Sequence, residues 1–141
     1  MGARRTGRER ALQALYQLEV SSPASLDEAL AAAWAAHSEE GTPAPEARRF
    51  AEDLAKGVCD HMEEIDALIQ EHSHNWRLDR MGRIDRNVLR LGIYELRHRD
   101  DIPRKVTLNE MIELAKAFGS ETSSAFINGL LDRVAVALQK A

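Results

Sequence analysis

The sequence lacks the features that mark membrane, secreted and disulfide-stabilised proteins. Its 141 residues include a single cysteine, Cys59, so no internal disulfide can form. No apolar run approaches the ~18 residues that a membrane span requires. The N-terminus has no apolar stretch of the kind that a secretory signal contains. We therefore expect a cytoplasmic protein that has no contact with a membrane.

Sequence signals for catalysis or metal binding are also scarce. The chain contains neither a glycine-rich phosphate-binding loop nor an HExxH motif. His72 and His74 are two residues apart, a spacing that places them on different faces of a helix, and no third ligand lies nearby in the sequence. Cys59 falls in an apolar helical pattern, which is typical of an inert core thiol. The sequence therefore predicts a protein without catalytic residues, cofactor or metal.

What is present, by contrast, is an uneven distribution of charge. The first ten residues, MGARRTGRER, hold four arginines against one glutamate, whereas the whole chain carries a formal net charge of -4. A basic segment on an acidic body indicates an anionic partner for the segment and a different partner for the body. Clustered like charges with nothing to bury predict that residues 1–10 form a flexible arm. A solubilising tail and an RNA contact remain equally open for this arm, because arginine matches phosphate oxygens.

Apolar residues recur every three or four positions along almost the whole chain, which predicts an all-α fold. Ser25 and Glu28 form a capping box at the start of the second helix. The stretch NWRLDRMGR predicts a short helical turn, so we expect one short helix in addition to six main helices. The predicted helices form a single domain, 1–141, with an N-terminal helical half, 11–80, and a C-terminal helical half, 83–141. The six main helices are predicted at about residues 5–20, from 26 through at least 34, 45–73, 84–99, 108–118 and 122–139.

Three glycines are expected to shape individual helices. Gly7 lies inside the first helix and lowers its helix propensity. Gly129 lies inside the last helix, where it predicts close packing against a neighbouring helix. Gly119 follows the fifth main helix, and we expect it to adopt the left-handed conformation of a C-terminal cap.

The stretch KAFGSETSSAF is a second candidate for a binding surface. Its serines, threonine and glutamate lie at the start of a helix, where backbone N–H groups attract anions and side chains can read unstacked bases. Phe118 and Phe126 are able to stack bases, but both also fit the apolar stripes of their helices. Serines at a helix start are ordinary caps, so this binding role remains open as well. We expect Trp34 and Trp76 to be packing residues.

Three stretches resemble the NusB family of bacterial transcription antitermination factors. They are ARRTGRERALQALYQLE, RIDRNVLRLGIYEL and IPRKVTLNEMIELAKAFGSETSSAFINGLLDRVA. The resemblance implies two three-helix bundles packed across one another. It also implies a non-catalytic protein that binds the boxA element of nascent ribosomal RNA as a single strand, together with the ribosomal protein NusE. With other Nus factors, such a complex promotes read-through by RNA polymerase.

The resemblance also assigns candidate residues. The implied RNA-binding residues are Arg4, Arg5, Arg8, Gln13, Tyr16, Phe118, Ser120, Glu121, Thr122 and Phe126. The implied NusE-binding residues are Asp85, Arg86 and Leu89. The sequence RRTGR is less basic than the family's arm often is, and Thr122 stands where the family can have an aspartate. Both departures affect the expected affinity for RNA more than the resemblance to the family.

Two other functions are compatible with the same pattern. One is a helical protein-docking module that does not bind RNA, and deletion of the arm would distinguish it. The other is a relative of the RNA-binding domain of ribosomal RNA methyltransferases, which the 141-residue length disfavours because it leaves no room for a cofactor-binding domain. A homodimer is compatible with the sequence.

Overall fold

The computed structural model describes residues 2–22, 25–74, 76–120 and 122–141, and within these ranges it contains helices and no strands. The predicted all-α fold is confirmed. Two short 3-10 turns, Ser38–Glu40 and Leu78–Arg80, accompany the α-helices, and the second confirms the predicted helical turn. No helix in the described ranges combines the length and the apolar character needed to cross a membrane. The α-helices are α1 (Ala3–Val20), α2 (Leu26–Ala35), α3 (Pro45–Asp60), α4 (Met62–His72), α5 (Arg83–His98), α6 (Arg104–Phe118) and α7 (Ser123–Ala137).

The helix predicted over 45–73 is two helices, so the described residues hold seven α-helices where six main helices were expected. His61 separates them with φ of -114° and ψ of 21°, outside the α-helical region. Its carbonyl accepts a hydrogen bond from the amide of Ile65 at 2.9 Å, which starts α4 as a new helix. The chain divides into two compact units at this break, Met1–Cys59 and Asp60–Ala141, rather than near Gly82.

In the first unit, the segment expected to be a flexible arm is helical from Ala3 onwards. The segment is helical because it packs against α3. The guanidinium carbons of Arg4 and Arg8 lie 5.2 and 5.1 Å from the centre of the Phe50 ring, within cation–π range. Gly7 is buried beside the same ring, and a Cβ added there would lie 2.9 Å from Cδ2 of Phe50. Packing therefore overrides both the charge repulsion and the low helix propensity of Gly7.

The second unit has α5 at its centre, as the pattern of its apolar residues predicted. Nine of its residues are buried, including Leu89 and Leu91 at 0% exposure. Arg90 on α5 pairs with Asp66 on α4 through two hydrogen bonds of 2.8 and 3.0 Å. A bidentate pair of this kind fixes the orientation of both side chains, and it holds α4 against α5.

Candidate nucleic-acid interface

The three arginines assigned to RNA contact lie on α1 in different environments. Arg4 is exposed, Arg5 is half-buried, and Arg8 is 3% exposed with its guanidinium over Phe50. A side chain so deeply buried does not present its charge to a ligand in this conformation. Arg8 therefore differs from its predicted role, because its guanidinium packs against the ring that α1 covers. Arg4 and Arg5 are the two that reach solvent.

Gln13 and Tyr16, one and two turns further along α1, also differ from each other. Gln13 accepts a 3.3 Å hydrogen bond from Arg10, and its Nε2 lies 3.5 Å from Nε2 of His37. The same Arg10 donates a 3.0 Å hydrogen bond to Glu40. Gln13 thus belongs to a partly buried polar network inside the first unit. Tyr16 is 37% exposed and is accessible to a ligand.

The second unit contains an open cavity of about 380 Å³, which we call the junction pocket. The loop before α5, the first turn of α5 and the start of α7 form its walls. Trp76, which is 55% exposed, and Phe126, which is half-buried, are its two aromatic lining residues. The expectation that Trp76 is a packing residue does not fit this exposure, whereas Trp34 packs beneath Arg10 and Arg48 as expected. The lining residues are Trp76, Arg80, Met81, Gly82, Asp85, Thr122, Ser123 and Phe126.

The loop that carries Trp76 is held in place by side chains from the flanking helices. The Trp76 carbonyl accepts 3.0 Å hydrogen bonds from both Gln70 and Ser73. Gln70 also accepts a 3.0 Å hydrogen bond from the amide of Leu78. On the other side, Arg86 donates to the carbonyls of Leu78 and Met81, each at 3.2 Å. The pocket wall is therefore preorganised, which reduces the ordering cost of binding a ligand.

Hydroxyl groups form the opposite edge of the junction pocket. The Ser120 hydroxyl lies 2.9 Å from that of Ser123 and 3.2 Å from that of Thr122. Both Ser120 and Thr122 are exposed, whereas Ser123 is buried. Phe118, which ends α6, is 37% exposed and does not line the cavity. Glu121, the remaining residue assigned to this surface, lies outside the described residues.

Gly119 draws this edge close to α5. Its φ of -103° and ψ of -156° are extended, so the expected left-handed cap is not formed. Glycine is needed here for a steric reason instead. An added Cβ would lie 2.8 Å from the Ala115 carbonyl oxygen and 3.3 Å from Oδ1 of Asp85. The glycine therefore permits a close approach between the end of α6 and the first turn of α5.

The three residues assigned to NusE do not form one exposed surface. Asp85 is half-buried and lines the junction pocket beside Thr122 and Ser123. Arg86 is half-buried and donates its hydrogen bonds to the Trp76 loop. Leu89 has 0% exposure, so its side chain is not available to a partner and its assignment is corrected to a core position. The sequence did not separate these roles, because all three residues are on one helix.

Sequence reasoning missed Trp76 and Arg80 as members of the site. The stretch NWRLDRMGR does place both residues in a short turn before α5. The sequence signal that could have indicated them is an aromatic residue near a basic residue in a loop, a combination that suits nucleic-acid binding. The described residues define a helical protein whose second unit carries a pocket lined by aromatic, basic and hydroxyl-bearing side chains.

Comparison with known proteins identifies the family. A sequence model of the NusB family matches residues 5–136. The transcription antitermination protein NusB of Myxococcus xanthus (strain DK1622) is 67% identical over 140 residues, covering 99% of each chain. The solved structure of T. maritima NusB is 36% identical with a TM-score of 0.84, covering 96% of this chain and 92% of that one. The chain belongs to the NusB family.

A solved complex gives a further comparison. Its chain is 27% identical with a TM-score of 0.84, and the match covers 97% of this chain and 98% of that chain. The structure contains the antitermination factors NusB and NusE in complex with dsRNA.

Proposed function

We propose that this protein is a non-catalytic transcription antitermination factor that binds RNA together with NusE. Its RNA ligand is the boxA element of nascent ribosomal RNA, taken as a single strand in the bacterial cytoplasm. With RNA polymerase and other Nus factors, the bound complex promotes read-through of terminators. Family membership supports the antitermination role, and the solved complex of a similar chain with NusE and dsRNA supports binding of RNA and NusE.

The junction pocket is the observation that carries the RNA-binding proposal. Sequence-selective proteins bind unstacked bases by stacking them on aromatic rings and by hydrogen bonds to their edges. The pocket offers the exposed side chain of Trp76, and Thr122, which carries a hydroxyl group, also lines it. Arg80 adds a positive charge at the rim for phosphate. Its volume of about 380 Å³ is within the range of small-ligand sites and suits one base.

On the first unit, Arg4 and Arg5 are proposed to contact phosphate. Arginine has a rigid fork of donors that matches phosphate oxygens. Arg8 positions Arg4 and does not itself contact phosphate. Both guanidinium groups lie over the same Phe50 ring and fix the first turns of α1. Exposed Tyr16 extends this surface along α1, whereas Gln13 supports it from within the polar network.

NusE is proposed to dock on the acidic body of the protein. The whole chain has a formal net charge of -4 although its first ten residues are basic. Opposite charge accelerates association and orients the partners. Asp85 is the one of the three assigned residues that lines an open surface, and we retain it as a candidate contact. Arg86 and Leu89 are assigned to the loop and to the core, respectively.

Fluorescence anisotropy with a labelled boxA-like single-stranded RNA tests the proposal. The same strand annealed to its complement, and a scrambled strand, are titrated alongside, each with and without NusE. We expect the single boxA-like strand to bind most tightly, and its affinity to rise when NusE is added. Equal binding of the scrambled strand, or tighter binding of the duplex, would contradict the proposed ligand. NusE binding without any RNA binding would favour a protein-docking module.

Trp76→Ala locates the ligand on the junction pocket. Stacking on an aromatic side chain contributes about 1–3 kcal/mol per base, so the affinity for RNA should fall roughly 5- to 150-fold. Val136→Ala is the matched control, since Val136 is 61% exposed and does not line the junction pocket. Thermal unfolding of both variants should stay close to that of the unmodified protein. Equal RNA affinity in the two variants would remove Trp76 from the site.

A further inference from the structure

Two histidines and a glutamate lie together where α4 begins and α5 ends. The Nε2 atom of His98, the last residue of α5, is 2.9 Å from Oε1 of Glu64 in the first turn of α4. The ring of His61 stacks on that of His98 with 4.1 Å between centroids and 23° between planes. The candidate ligand atoms of all three residues lie within 4.8 Å of one another. This is the one group of its kind in the part of the chain that the structure describes.

The residue types match a particular class of metal ion. Two imidazoles and one carboxylate form a ligand set typical of Zn²⁺ and related divalent transition metals, whereas Mg²⁺ prefers oxygen ligands alone. Three protein ligands leave a fourth position for water, as in zinc sites that remain open. His72 and His74, the pair first considered from the sequence, belong to no such group, and His72 Nδ1 lies 2.9 Å from the carbonyl oxygen of Leu68.

The geometry needs only side-chain movement to close on an ion. Zn²⁺ binds nitrogen and oxygen at about 2.0–2.2 Å, so tetrahedral ligand atoms are about 3.4 Å apart. The Glu64–His98 pair is already near this separation, and the ring of His61 must rotate out of its stack to direct a nitrogen at the same point. His61 and His98 are half-buried and Glu64 is exposed, so an ion can enter from solvent.

One neighbouring charge opposes a cation. Arg97 Nε lies 3.7 Å from the same Oε1 atom of Glu64. The Arg97 side chain is 51% exposed, so it can turn into solvent when an ion takes its place. On the other side, Tyr94 stacks on His98 with 5.3 Å between ring centroids and supports that ligand. The surroundings therefore permit an ion without rearrangement of either helix.

We propose that His61, Glu64 and His98 form a binding site for Zn²⁺ or a similar divalent transition metal. The ion would join the start of α4 to the end of α5. Because binding to the folded state alone stabilises it, the midpoint of thermal unfolding would rise with Zn²⁺ concentration. The site shares no residue with the proposed RNA surfaces and is independent of the proposed function.

Isothermal titration of the full, untagged chain with Zn²⁺ tests this site, with Mg²⁺ titrated in parallel. We expect one Zn²⁺ per chain, an increased unfolding midpoint and no response to Mg²⁺. His61→Gln and His98→Gln should each weaken Zn²⁺ binding about tenfold or more, the scale on which changes at metal sites act. His74→Gln is the matched control, since His74 is exposed and outside the group, and it should bind Zn²⁺ as the unmodified chain does.

Cobalt provides a readout that does not depend on any variant. Co²⁺ bound by imidazole and carboxylate ligands absorbs visible light, and Zn²⁺ should displace it and bleach that absorbance. Absence of stoichiometric Zn²⁺ binding, or of the Co²⁺ spectrum, would overturn the proposal. Unchanged affinity in both glutamine variants would also overturn it and would place the ion elsewhere on the surface. Circular dichroism confirms that each variant retains its helices.

Discussion

The hydroxyl of Thr107 on α6 donates a 2.8 Å hydrogen bond to Oε1 of Glu95 on α5, and both residues have 0% exposure. A carboxyl group withdrawn from water is costly unless its oxygens find donors. Glu95 belongs to the YEL sequence and Thr107 to the KVTLNE sequence, two of the stretches that resemble the NusB family. The structure gives these two stretches a shared physical role, because one supplies a buried polar group and the other satisfies it.

Thr107→Val should destabilise the protein, since valine has the same shape but no hydroxyl. A buried acceptor that loses its donor costs about 1–3 kcal/mol, which should appear as a lower free energy of unfolding in urea. Thr122→Val is the control, because Thr122 is exposed and its change should stay within about 0.5 kcal/mol. Equal stability of the two variants would show that Glu95 does not depend on this hydrogen bond.

Alanine substitution at two helical glycines should have opposite effects. Alanine at Gly7 places a Cβ 2.9 Å from the Phe50 ring and 3.0 Å from the Ala47 carbonyl oxygen, and such overpacking costs about 1–3 kcal/mol. Alanine at Gly129 meets only Arg133 Nη1, at 3.5 Å, so it should gain up to about 1 kcal/mol of helix propensity. Thermal unfolding measures both. Stabilisation by Gly7→Ala would mean that α1 does not pack tightly on Phe50.

The salt dependence of RNA binding should separate the three arginines of α1. Each phosphate contact with a single strand contributes a slope of about -0.7 to a plot of log affinity against log salt concentration. The Arg4→Ala, Arg5→Ala double variant should therefore flatten the slope by about 1.4. Arg8→Ala should leave the slope nearly unchanged and lower the unfolding midpoint, because Arg8 is buried over Phe50. A slope that flattens equally with Arg8→Ala would place Arg8 in contact with phosphate.

Arg86→Met should loosen the wall of the junction pocket. It removes the two 3.2 Å hydrogen bonds to the carbonyls of Leu78 and Met81, so the Trp76 loop loses one of its anchors. Hydrogen exchange of the Arg80 and Met81 amides should accelerate. Arg83→Met, an exposed position at the start of the same helix, is the control and should leave these amides as they were. Unchanged exchange in Arg86→Met would assign the order of the loop to Gln70 and Ser73 alone.

The secondary structure was accessible from the sequence because helix formation follows local rules. The 3.6-residue spacing of apolar side chains predicted α5 and α7 to within a few residues of their observed ends. The Ser25 cap was also predicted, and its hydroxyl accepts a 3.1 Å hydrogen bond from the amide of Glu28. The break at His61 was not predicted, since the apolar spacing continues through it and only the backbone angles of one residue interrupt the helix.

The site was only partly accessible from the sequence, because side-chain exposure is a property of tertiary packing. Arg4 and Arg8 look alike in the sequence, yet one is exposed and the other is 3% exposed. Leu89 and Arg86 were assigned to a partner surface from their place on one helix, whereas packing puts the first in the core and uses the second to hold a loop. Trp76 was expected to be a packing residue and is exposed.

By itself, the sequence determined that this chain is helical, that its first ten residues are net basic on a chain with a net charge of -4, and that it resembles the NusB family. These properties depend on residue order and composition, which the sequence contains in full. Only the tertiary structure decided which arginines reach solvent, that Trp76 faces a pocket, and that His61 and His98 meet beside Glu64. Those outcomes depend on contacts between residues distant in the chain, and helical periodicity does not encode which helix faces will meet.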